Sequence, residues 1–105
     1  MDTSEVFPEG SREWLQREAQ LAGVPFVDLH RIEIAPNVAK LISRECATAG
    51  CMIPIKADAS KVWIAMANFH DAQALEAARL QTDRIVLPVA AMREEVVRAI
   101  NECYK

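Results

Sequence analysis

The stretch Lys61-Val62-Trp63-Ile64-Ala65-Met66-Ala67 decides the fold. From Val62 to Ala67 it is continuously apolar and free of proline. That pattern belongs to a strand buried on both faces. Two further strand-like stretches flank it, Met52 to Ala57 with Pro54 and Arg84 to Ala90 with Pro88. Asp58-Ala59-Ser60 is turn-like, so the first two stretches predict an antiparallel hairpin. A helical segment separates the second from the third. In it Ala74, Leu75 and Ala78 share a face, and Asp71 stands where a cap belongs. A crossover of that length fits a parallel connection. Proline cannot donate to a ladder and belongs on edges or strand ends. The proline-free strand therefore lies at the centre of a small mixed three-stranded sheet, built from a hairpin plus a βαβ crossover.

Outward from this sheet the spacing predicts about four helices and an α+β, two-layer fold. Ser11 caps a first helix with Glu13 in its first turn. Leu15, Ala19 and Ala22 fall on one face, flanked by Trp14 and Leu21. Gly23 and Pro25 end that helix. Phe26-Val27-Asp28-Leu29 reads as a brief strand. Pro36 suits the first turn of a second helix, continued by Val38, Leu41, Ile42 and Glu45-Cys46. Ala47 to Gly50 reads as a break. A last helix runs from about Met92 to Cys103, with an apolar stripe of Met92, Val96, Ala99, Ile100 and Cys103. Arg93, Glu94, Arg98 and Glu102 face water. Residues 1–10, with Pro8 and Gly10, read as a flexible N-terminus, and 11–105 as a single domain.

Composition narrows the function classes. The chain has 105 residues, one domain's worth, and a net charge of −3. Nucleic-acid binding needs a basic patch, which an acidic balance does not provide. The apolar runs are strand-length, far below the roughly 20 residues that span a bilayer, so no direct membrane insertion is expected. The acidic start, Met1-Asp2-Thr3-Ser4-Glu5, does not resemble a signal peptide. Cys46, Cys51 and Cys103 make an odd count, which reads as reduced thiols in the cytoplasm.

The residues that carry chemistry are sparse. Glycines stand at 10, 23 and 50, too far apart for a Walker A loop or a G-x-G-x-x-G turn. None of the serines lies in G-x-S-x-G. Cys46 and Cys51 with His30 and His70 are the residues a metal would need. Their C-x4-C spacing is looser than a zinc knuckle, so the cysteines read as small core hydrophobes. Cys51 with His70 is a weak nucleophile pair without an orienting carboxylate. The expectation is no catalytic residue, no metal and no cofactor. Trp63 is assigned to the core. Trp14, Phe69 and His70 remain as candidate partner-binding residues, because tryptophan is enriched at hot spots and Phe69-His70 lies in a βα loop.

Several segments together resemble a known family. Ala22-Gly23-Val24-Pro25-Phe26-Val27-Asp28-Leu29 is similar to the "LGVPFVDL" segment of type II secretion and type IV pilus assembly ATPases. Ile34-Ala35-Pro36, Leu41-Ile42-Ser43 and Ile53-Pro54-Ile55 follow in that family's order. So do Val62 to Asn68, Asp71 to Leu75, Arg79 to Thr82, and Pro88-Val89-Ala90. The likeness covers about residues 12 to 104. Three positions depart from it: Phe69 stands where proline is usual, Asp83 near a usual glycine, and Ala59-Ser60 at a usual aspartate-glycine turn.

The resemblance implies the carboxy-proximal α/β half of the ATPases' N-terminal domain. That domain docks the motor to the cytoplasmic part of an inner-membrane platform protein. A bacterial, cytoplasmic, non-catalytic module in protein transport follows, held near the inner membrane through its partner. In one branch the family also binds cyclic di-GMP through two helical repeats of the type R-L-G-x-x-L…G-x-L. The chain contains no such repeat, so no cyclic di-GMP binding by this chain alone is expected. The alternative is a nucleotide-sensing domain, which would need convergent arginines. Arg31, Arg79 and Arg84 are the available set.

Overall fold

The computed structural model describes residues 10–104. The expected flexible terminus, 1–10, lies outside these residues except for Gly10. Among the described residues β1 (Met52–Ala57), β2 (Lys61–Met66) and β3 (Ile85–Ala90) form one sheet in the order β1-β2-β3. β1 runs antiparallel to β2, and β2 parallel to β3. The helices are α1 (Arg12–Ala22), α2 (Pro36–Ala39), α3 (Arg44–Gly50), α4 (Ala72–Thr82) and α5 (Arg93–Cys103). The fold is α+β, with β2 at the centre. Val62, Ile64, Ala65 and Met66 are each 0% exposed, as an unbroken apolar run requires.

The hydrogen-bond parity explains the prolines. Ile85 N–H donates to Ser60 O and Ala91 N–H to Met66 O, so odd positions of β3 face β2. Even positions then face outward, and Pro88 is one of them. In the hairpin, Ala67 N–H donates to Cys51 O, and the alternation of an antiparallel ladder turns the nitrogen of Pro54 away from β2. Both prolines thus occupy positions where no ladder donor is lost.

Register also sorts the side chains. Met52, Val62, Ile64, Met66 and Ala90 share one face. Met52 lies at the floor of the groove between α3 and α4, which places those helices on that face. Ile53, Lys56, Lys61, Trp63, Ala65, Ile85, Leu87 and Val89 share the other face.

Three expectations need correction. The second helix is two helices. α2 stops at Ala39, and Ser43 starts α3 by accepting from Cys46 N–H at 3.1 Å. Ala47 to Gly50 is therefore helix, not a break. A Cβ on Gly50 would stand 2.9 Å from Ala74 Cβ, so glycine there permits close helix packing. Phe26 to Leu29 is less than a strand. It makes one parallel bridge, Phe26 to Ala90, then enters a 3-10 turn at Leu29–Arg31. Ala22 is exposed, and α1 buries Leu15 and Ala19 instead.

Candidate interaction surfaces

The three candidate partner-binding residues have different fates. Phe69 is 6% exposed and packs in the core, so it is not displayed. The turn that buries it is closed by Asn68, whose Oδ1 accepts from His70 N–H at 3.1 Å. Asp71 Oδ1 then caps α4 by accepting from Ala74 N–H. His70 remains exposed, its ring 4.3 Å from that of Phe69 between centroids. Trp14 is half-buried against the core and lines a crevice of about 280 Å³ with Ala67, Met92 and Arg93. His70 does not line that crevice.

The strongest polar constellation was not legible in advance. Glu95, in the first turn of α5, is 6% exposed. Its Oε1 accepts from Leu29 N–H at 2.9 Å, and its Oε2 pairs with the Arg12 guanidinium. Arg12 also lies over the Phe26 ring, 5.6 Å from its centroid. His30 Nε2 stands 4.0 Å from Glu95 Oε2. Asp28, His30 and Glu95 bring donor atoms within 4.8 Å of one another. Arg12 already supplies the positive charge that a cation would bring, and Asp28 Oδ1 is engaged by His30 N–H. The constellation therefore ties α1 and the 3-10 turn to α5. The sequence signal was weak, because Glu95 follows Glu94 in a pair that reads as a solvated helix face.

The remaining titratable groups are held locally. Burial pushes the thiols of Cys46, Cys51 and Cys103 up, which leaves them as poor nucleophiles. Cys51 lies in a small groove with Thr48, Arg93 and Val97, and His70 does not line that groove. The three arginines do not converge as a clamp. Arg31 meets Asp28, Arg79 meets Glu76, and Arg84 donates to the carbonyls of Asp58 and Thr82.

The MshEN domain model matches residues 22–105. The chain belongs to the MshEN domain family. A structure of MshE with cdg superposes with a TM-score of 0.82 at 25% identity, covering 90% of this chain and 69% of that one. The N-terminal domain of XpsE shares the fold, with a TM-score of 0.71 at 22% identity, covering 86% of this chain and 64% of that one. No curated protein matches this chain in sequence. These relatives are N-terminal domains of type II secretion and type IV pilus ATPases, as the segment order implied. The matched residues, 22–105, correspond to the part of these relatives that lies outside the ATPase motor.

Proposed function

We propose that this MshEN domain is a non-catalytic interaction module that docks a secretion or pilus ATPase to the cytoplasmic part of its inner-membrane platform protein. One observation carries the reading beyond the family match. Among the described residues the large apolar side chains Leu80, Ile85 and Val97 stand exposed, and covering such surface is the main favourable term in protein association. No helix among the described residues is long and apolar enough to cross a membrane. In this reading the partner supplies the membrane attachment. Surface plasmon resonance between the chain and the platform protein's cytoplasmic domain tests this. Saturable binding at micromolar affinity or tighter is expected, and no response at 100-fold higher concentration would refute docking.

The ligand in the MshE structure favours a second reading, a nucleotide-sensing domain. Against it, the chain lacks the R-L-G-x-x-L…G-x-L repeats, and its arginines are separately engaged. Calorimetric titration with cyclic di-GMP should give no binding heat. A micromolar dissociation constant would establish the sensor instead.

A further inference from the structure

One face of the sheet is covered at one end and open at the other. Ile53, Ala65 and Val89 share that face and are 0%, 0% and 3% exposed. Toward the hairpin end the same face carries Lys61 beside Ile85, and Trp63 between Lys56 and Leu87. Here Ile85 is 58% exposed, Trp63 and Leu87 are half-buried, and both lysines are exposed. The Lys56 ammonium stands 5.1 Å from the Trp63 ring centroid. The expectation that Trp63 is a plain core residue is thus corrected. It lies at the boundary between core and surface, under a cation.

The charge of this patch opposes that of the chain. The whole sequence is net −3, yet the two side chains framing the apolar strip are both cations. The nearest carboxylate in sequence, Asp58, is turned into the hairpin. It accepts from the N–H groups of Ser60 and Lys61, which hold it below the usual range. Arg84 adds a third cation at this end by binding the Asp58 carbonyl. Asp83, at the C-terminal end of α4, is an acidic group next to Arg84 in sequence. An apolar strip between ammonium groups complements a segment with the opposite pattern.

We propose that this open end of the sheet face docks an acidic protein segment carrying an apolar anchor. The anchor packs on Ile85, Leu87 and Trp63, and carboxylates on either side meet Lys56 and Lys61. The proposal rests on the docking function above and assigns it a surface and a partner chemistry.

The test uses the whole chain, with binding read by surface plasmon resonance. Two probes are titrated: the platform protein's cytoplasmic domain, and a synthetic peptide alternating leucine and glutamate. Lys56→Glu with Lys61→Glu, and separately Ile85→Asp, alter exposed positions, with circular dichroism confirming the fold. Leu21→Ser, on α1, is the control. Binding of the platform domain weakened at least tenfold by both patch variants, but not by the control, is expected. Platform binding unchanged in the patch variants would overturn the proposed surface while leaving docking intact. A platform domain that fails to bind, with a peptide that binds and loses tenfold on charge reversal, refutes platform docking and supports the surface. Binding of neither probe overturns both. Self-association abolished by Ile85→Asp in sedimentation would make the occupant a second copy, and overturn the acidic partner.

Discussion

Arg12 and Glu95 form an ion pair across 83 positions of sequence, with the Arg12 side chain 39% exposed and the Glu95 side chain 5% exposed. The carboxylate also accepts from the buried Leu29 N–H. Removing one partner of a buried pair strands the other, and the loss exceeds the net worth of the pair.

Glu95→Ala should therefore destabilise the fold by about 2 kcal/mol, since it leaves the buried Leu29 N–H without an acceptor while the part-exposed Arg12 turns to water. Arg12→Met alone should also destabilise. The double variant Arg12→Met with Glu95→Met should cost less than the sum of the single changes. Urea denaturation of the four proteins measures the coupling, and additive losses would refute the pairing.

Tyr104 closes the other end of α5. Its hydroxyl donates to the Ala39 carbonyl and lies 3.1 Å from that of Ile42. Burial first, then Cys103 and Cys46, push its pKa up to about 12. The unfolded chain ionises near the ordinary value of 10. The contribution is thus fully present below pH 10 and is lost as pH rises from 10 to 12. Tyr104→Phe should cost about 1 kcal/mol at neutral pH. It should also flatten the stability profile between pH 10 and 12 relative to the parent, as thermal melts across that range will read.

Gly50 is a packing residue. Alanine there gains up to ~1 kcal/mol of helix propensity. Its Cβ, however, would stand 2.9 Å from Ala74 Cβ and 3.0 Å from Met52 Cε. Overpacking should dominate, for a net loss of about 1 kcal/mol. Ala74→Gly should offset part of that loss in the double variant and not in the parent. A stabilised Gly50→Ala by denaturant titration would contradict the close approach.

Asp83 ends α4 in the left-handed region, with φ 53°, and is exposed. An acidic group at a helix C-terminus opposes the helix dipole. Asp83→Gly should stabilise the chain by about 0.5 kcal/mol, because glycine adopts this conformation without Cβ strain. A lowered melting temperature would show that Asp83 makes a contact worth more than the strain. This is also a position where the resemblance leads one to expect a nearby glycine.

The start of α3 supplies a last measurement. Ser43 caps it, and Gln81 from α4 reaches back to Ser43 N–H at 2.8 Å. Ser43→Ala should cost about 1 kcal/mol, and Ser43→Asp markedly less. Equal losses in both would remove the cap as the cause.

The sheet was legible because its determinants are local. An apolar run reports burial on both faces, and a missing N–H on proline excludes a ladder position, whatever the rest of the chain does. The order β1-β2-β3 followed from Val62–Ala67, Pro54 and Pro88. The helix caps at Ser11 and Asp71 were legible for the same reason. Residues 36–50 were misread because a glycine at a helix end and a glycine at a helix contact look alike until the neighbour, Ala74, is in place.

Family membership was also readable from the ordered segments between Ala22 and Ala90, since each is a short local pattern. The site was not. Arg12 meets Glu95 because α1 and α5 pack near each other, and no spacing records that. Phe69 is buried by the turn that Asn68 closes. Trp63 is half-open because the helices stop short of the hairpin end of the sheet. Local chemistry can state which residues prefer burial. Which of them obtain it depends on how far each helix extends across the sheet, and the packing of the whole chain sets that.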